Sequence, residues 1–381
     1  MDFSWDKDHL ALKKSVIDFA HKELNNGIIK QNHTSDFPRD KWKKCASFGI
    51  QGLPMPEEFG GDGLDVLTTI LMMEGLGYGC KDNGLIFGIN AQIWSVQLPI
   101  LRFGSEVQKK TYLPKLVSGD LIGAHGMTEP GSGSDSFSLS TRAEKKGDNY
   151  VLNGSKTFIS NAPVADLFLI FATVNKSRGF WGITAFLIEK GTPGLIVGKP
   201  IEKMGLKSSP MGEVFLEDCS VSTEHRLGRE GNGAAIFRHS MGWERSCILA
   251  SCVGTMQRQV DVCIEYAKTR QQFGKQIGKL PSVANRIIDM KIRLETARLL
   301  LYKAGWLQTQ GQEAGQEIAM AKLYLSECFI QSSLDAIQIH GGYGYTTEYG
   351  IEGDLRDSVA SRIYSGTSEI QREIIARSMG L

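Results

Sequence analysis

The 381-residue chain contains no run of 18 consecutive apolar residues, and its seven cysteines and seven histidines form no CxxC, HxxxH or HExxH. The first absence argues against a bilayer-spanning helix. The second removes any zinc or disulfide framework, leaving the cysteines as buried reduced thiols, with no metal expected. An excess of one charge is also missing: 43 Lys and Arg face 42 Asp and Glu. Nothing electrostatic therefore drives the chain toward nucleic acid or an anionic membrane. The opening stretch MDFSWDKDHLALKK has no apolar core of a signal peptide, which points to a cytoplasmic protein. No GxGxxG follows a strand-like run, and neither GxxxxGK[ST] nor GxSxG occurs, so dinucleotide-fingerprint, P-loop and nucleophile-elbow chemistries lack their defining loops.

Proline is unevenly spread. Five of the eleven prolines lie between 121 and 210, and only Pro281 follows 210. A long proline-poor stretch with apolar residues at helical spacing reads as packed helices. Residues 1–118 are also helical in pattern: Leu10, Leu12, Val16, Ile17, Phe19 and Leu24 fall near one helix face. The apolar helix IWSVQLPILRFG is expected to break near Pro99. Residues 119–228 change period, with β-rich runs such as LFLIFATV and GEVFLEDCSV, and with Asn153-Gly154 as a hairpin signal. Helices near 282–310, 313–340, 352–362 and 368–378 are predicted in the remainder. The expected class is α+β: a helical domain (1–118), a small antiparallel β domain (119–228) and a helical bundle (229–381).

Five motifs occur in order: MTEPGSGSD at 127–135, LNGSKTFISN at 152–161, TRQQFGKQIGKLPSV at 269–283, QIHGGYGYTTEY at 338–349 and RIYSGTSEIQREIIAR at 362–377. Each glycine-rich piece alone is a turn signal. As a series they resemble the acyl-CoA dehydrogenase family of flavoproteins over essentially the whole chain. The resemblance implies an N-terminal helical domain, a central β-barrel domain and a C-terminal four-helix bundle, with FAD as cofactor. It assigns Met127 and Thr128 to the flavin's pyrimidine edge, Gly133 and Ser134 to the pyrophosphate, and Phe158 and Ser160 to the flavin ring. At the first of that last pair the family usually carries Trp. Arg270, Phe273, Gln338 and Gly342 match positions that reach the FAD of a neighbouring subunit, implying a homo-oligomer, commonly a tetramer. Thr367 and Glu369 occupy the last FAD-contacting positions.

The irregularity lies after Tyr364. Most family members carry a catalytic glutamate there, whereas this chain has Ser365, whose hydroxyl is hardly ionised at neutral pH. Two branches of the family, the isovaleryl and long-chain enzymes, instead supply the base from an ER pair on the first long bundle helix, matched here by Glu244-Arg245. A Glu-Arg pair on a helix ordinarily marks a solvated face; the serine at 365 shifts the weight to Glu244 as base. Ser365 is expected to keep the backbone N–H that stabilises the enolate oxygen, and Arg245 to be structural.

Overall similarity points to the branch that oxidises prolyl groups tethered through phosphopantetheine to a carrier protein, as in anatoxin and pyrrole pathways. Asn90, Gln92 and Ser95 are weak candidates for a polar lining and read otherwise as ordinary helix surface. A short branched-chain acyl-CoA dehydrogenase is the alternative, and a flavin-binding scaffold or a monooxygenase on the same fold also stays open.

Overall fold

The computed structural model describes residues 4–29 and 34–381; the first three residues of the opening stretch lie outside it. The N-terminal helices begin at side-chain caps. Asp6 accepts from His9 N at 2.8 Å to start α1 (Lys7–Glu23), and Gly49 in the left-handed region ends α2 (Arg39–Phe48). Asp65 accepts from Thr68 N at 2.8 Å to start α3 (Val66–Gly79), which is buried along nearly its whole length. The two aspartates satisfy N–H donors that the helix starts leave open, and the Gly49 N–H satisfies carbonyls at the end of α2. The buried stripe of α1 is Val16, Ala20 and Leu24, whereas Leu10 and Leu12 are exposed, so the apolar face is narrower than the sequence pattern implies.

The chain continues through α4 (Asn83–Gln92) and α5 (Leu98–Phe103), then α6 (Glu106–Val117), opened by a Ser105/Gln108 capping box. The break expected near Pro99 begins earlier, as a π turn over Ile93–Gln97. Such turns insert a residue into the helical ladder and redirect the side chains around it. Together Asn83–Phe103 form a stretch long and apolar enough, by length and composition, to cross a membrane, although it contains no unbroken apolar run of 18 residues. Of its most apolar window, 83% is buried inside the protein, which is the property of a core helix.

The middle segment forms one sheet in the order β6-β7-β3-β2-β4-β5-β8, with β1 beside β4. Its strands are β1 (Gly123–Gly126), β2 (Arg142–Lys146), β3 (Asn149–Ser160), β4 (Leu167–Thr173), β5 (Ile183–Glu189), β6 (Leu195–Val197), β7 (Met211–Ser222) and β8 (Arg226–Leu227). The expected barrel is instead an open sheet, with β6 and β8 at its ends. Nor is it wholly antiparallel, since β4 pairs in parallel with β1 and β2. The hairpin turn lies at Gly147-Asp148, not at Asn153-Gly154: β3 runs unbroken through that dipeptide, with a bulge between Leu152 and Gly154. Gly154 has φ +150°, and a Cβ there would meet Thr141 Oγ1 at 2.5 Å. Asn-Gly was an equally apt signal for this bulge. Strand β4 is buried on both faces, sending Leu167, Leu169 and Phe171 into the helical core and Phe168, Ile170 and Ala172 into a second core within the sheet domain.

The last segment holds α7 (Gly233–Cys247), α8 (Ala250–Thr269), a short β9–β10 hairpin (Gln271–Gln272, Lys275–Gln276), α9 (Pro281–Thr309), α10 (Gly315–His340), α11 (Gly342–Tyr345), α12 (Ile351–Ala360) and α13 (Ser368–Ser378). Helix α8 packs on α9 and α10 and, across the domain division, on α3. One apolar core therefore runs from Val16 to Ile339. All seven cysteines are buried and free.

Candidate active site

Glu244 lies on α7 facing inward and is buried. Its neighbour Trp243 stacks on Trp94 at 6.2 Å, so α7 is seated against the π turn. That turn carries Ser95, whose hydroxyl donates to Glu244 Oε2. From the other side the Ser365 hydroxyl donates to Glu244 Oε1. Three distant segments thus converge on one carboxylate. Burial pushes its carboxyl above the ordinary glutamate range, against the pull of the two serines, Arg245 and Lys322. Desolvation disfavours the charged form, so the proton affinity rises.

The loop carrying Ser365 is held from beneath. Arg245 Nε donates to the Ser365 carbonyl at 2.8 Å, Lys322 Nζ to the Gly366 carbonyl at 2.8 Å, and Gln371 Nε2 to the same oxygen at 2.9 Å. Tyr364 packs its ring against Phe87 of α4 at 4.8 Å. Ser365 sits at φ +57°, and among the described residues its backbone N–H has no hydrogen-bond partner. Arg245 is tied to the fold through the Ser365 carbonyl. Asn90 and Gln92 are not helix surface but fully buried. Asn90 accepts from Trp94 Nε1, and Gln92 joins Leu116 to Gly123. Of those three polar residues only Ser95 reaches Glu244.

The residues assigned to the flavin edge cluster where β1 and β3 end. Lys156 Nζ donates to the Met127 carbonyl and Thr157 N to the Thr128 carbonyl. Phe158 stands 60% exposed at φ +57°, and Ser160 pairs with Met211. Asn161 Nδ2 then donates to the Gly88 carbonyl of α4 at 2.9 Å, one residue beyond Phe87 and hence close to the Tyr364 loop. Gly133 and Ser134 lie exposed in the turns after β1. A second group is separate. Arg270 and Gly342 line a groove of about 550 Å³ beside Tyr266 and Tyr343, Gln338 is exposed on α10 just before it, and Phe273 is 88% exposed at the hairpin tip. Thr367 caps α13, and Glu369 is exposed in its first turn. Among the described residues no hydrogen bond or ring contact joins the two groups.

Residues 6–120, 124–219 and 231–380 match, in turn, the N-terminal, middle and C-terminal domains of acyl-CoA dehydrogenase. The chain belongs to the acyl-CoA dehydrogenase family. Within the family it is 46% identical over 381 residues to an L-prolyl-[peptidyl-carrier protein] dehydrogenase of Serratia sp., covering 100% of this chain and 99% of that one. The crystal structure of the prolyl acyl carrier protein oxidase AnaB is 52% identical, with a TM-score of 0.98 over 99% of this chain and 100% of its own. PigA with FAD and proline is 45% identical, with a TM-score of 0.98 over both whole chains.

A family flavin would find suitable surfaces here. The exposed Phe158 ring offers an apolar face, with the Thr128 and Ser160 hydroxyls nearby. A Cβ on Gly131 or Gly133 would meet nothing within 4 Å, so backbone in that turn is open to approach by a phosphate. Lys322, Glu129, Lys156 and the part Ser95 takes beside the base do not stand out from the motifs. A lysine inside a strand and another inside an apolar helix were the available signals, since neither belongs in a core without a partner.

Proposed function

We propose that this protein is an FAD-dependent oxidase or dehydrogenase of a prolyl group held as a thioester on the phosphopantetheine arm of a carrier protein, acting in natural-product biosynthesis as a cytoplasmic homotetramer. The observation that carries this reading is Glu244, a buried carboxylate at the base position that, among the described residues, accepts from two neutral hydroxyls and forms no ion pair, beside a loop that has lost the usual glutamate. The likeness to prolyl-carrier-protein enzymes over the full chain supports the substrate. FAD, when bound, supplies a two-electron acceptor for the hydrogen leaving the β-carbon.

The protein's own residues do the rest. Glu244 removes the α-proton, with a basicity raised by burial. The free N–H of Ser365 donates to the thioester oxygen as negative charge gathers there, worth about 3 kcal/mol for one such donor. Met127, Thr128, Phe158 and Ser160 hold the flavin ring, and Gly133 and Ser134 its pyrophosphate. Thr367 and Glu369 close the site from the start of α13. Arg270, Phe273, Gln338 and Gly342 serve a neighbouring subunit's FAD, a reading supported by the exposure of Phe273 and Tyr345, 88% and 82%, which leaves large rings to be covered by a second copy.

Mass spectrometry of prolyl-carrier protein after incubation with the holoenzyme tests this. Loss of one or two pairs of hydrogens is expected. Turnover of short branched acyl-CoA alone points to the dehydrogenase alternative, added oxygen to a monooxygenase, and no change with intact flavin to a scaffold.

A further inference from the structure

Arg245 and Lys322 act on Glu244 through their charge, but the hydrogen bonds they make go to backbone carbonyls of the Ser365 loop. Arg245, next on α7, gives its Nε to the Ser365 carbonyl, and Lys322 of α10 gives its Nζ to the Gly366 carbonyl. Tyr364, on the same loop, packs its ring against Phe87, and burial pushes its phenol well up. What faces the carboxylate instead is one hydroxyl on each oxygen, Ser95 on Oε2 and Ser365 on Oε1. Both hydroxyls reach it through unusual backbone: Ser95 within a π turn, Ser365 at φ +57°. Non-glycine residues in that left-handed region are uncommon and tend to gather where a site needs them.

We propose that Ser95 and the side chain of Ser365 are positioning residues for Glu244, a two-hydroxyl clamp that aims the carboxylate and sets its basicity. The inference rests on Glu244 being the base. An ion pair would hold the carboxylate but quench it as a base, and burial without donors would leave it protonated. Two neutral donors lie between those limits: they keep the group ionised while leaving it reactive. Arg245 and Lys322 then serve the base indirectly, by fixing the loop that presents Ser365.

The test uses the holoenzyme and the variants Ser95→Ala and Ser365→Gly, glycine being suited to a positive φ. Anaerobic flavin bleaching by prolyl-carrier protein is followed across pH. Each variant should retain FAD and move the acid limb upward by about one unit, which is about tenfold slower bleaching below the midpoint. Ser95→Thr, which keeps the hydroxyl, should restore the wild-type profile. In parallel, infrared titration of the Glu244 carboxyl stretch, assigned by its loss in Glu244→Gln, reads the same shift without turnover. Unmoved midpoints in both variants overturn the clamp. If one variant loses flavin, the other carries the test. A wild type that never bleaches sinks the function proposed above, while the infrared titration still decides the clamp.

Discussion

The ammonium of Lys156 lies 2.7 Å from Glu129 Oε1, and the two side chains are 0% and 5% exposed. Lys156 also donates to the Met127 carbonyl, while Glu129 accepts from the N–H groups of Ser140 and Thr141. Burial pulls the lysine down to about 8, with Glu129 pulling it back up. Burial alone would raise Glu129, but Lys156 and those N–H groups hold it below the ordinary carboxylate range. Both groups are therefore charged at neutral pH. Removing one partner strands the other, a loss of about 3–5 kcal/mol. Lys156→Met should lower the urea midpoint accordingly, and adding Glu129→Gln should recover part of it. A Lys156→Met variant as stable as wild type would mean that the pair contributes nothing beyond packing.

A second prediction concerns the crossing of α3 and α8. A Cβ on Gly77 would come within 1.9 Å of the Ser251 carbonyl oxygen, and one on Gly254 within 2.0 Å of the Glu74 carbonyl oxygen. Backbone lies on both sides, so no side chain can swing away. Gly254→Ala should cost about 3 kcal/mol, the upper range for overpacking, and should part the N-terminal helices from the bundle. Thermal unfolding followed by tryptophan fluorescence reads this, because Trp42 and Trp94 are buried in the shared core.

Much of this arrangement was legible before any coordinates. The helix, sheet, helix order could be reached from hydrophobic periodicity and proline distribution, because long periodic elements leave strong patterns, whereas Glu244 stands out only through the family resemblance and the serine at 365. That the sheet stays open could not be read, since strand order depends on pairings far apart in sequence. Asn153-Gly154 misled because a bulge and a hairpin turn ask for the same backbone freedom. The partners of Glu244 were hidden for a different reason. Ser95 meets it where a π turn shifts the helical register, and Lys322, though odd within an apolar helix, has a partner only once the Ser365 loop lies against α10.

The proposed oligomer gives a third prediction. Phe273 projects from the β9–β10 turn at φ +53°, and Arg270 lies over the Tyr343 ring at 5.8 Å, so both are held ready at one end of the bundle. If they complete a neighbour's cofactor site, Phe273→Ser should lower the flavin-to-protein absorbance ratio and shift light-scattering mass below that of a tetramer together. Full flavin content in a monomer would remove the cross-subunit assignment.

The last prediction joins stability to activity through Glu244. Its folded-state proton affinity is raised above the ordinary value by burial, so the native protein binds this proton more tightly than the unfolded chain does. The resulting stabilisation is fully present below the unfolded value and is lost as pH rises through the folded one. Glu244→Gln, neutral at every pH, should match the wild type near pH 4 and exceed it in melting temperature above that window. The rate should run the opposite way. Flavin bleaching needs the carboxylate, so wild-type bleaching should increase with pH over the interval in which its stability declines, while Glu244→Gln binds FAD but bleaches slower by about 100-fold or more. Melting curves and stopped-flow traces taken across the same pH series test both halves. A rate that is flat where the stability gap opens would mean that the group titrating at 244 is not the one taking the proton.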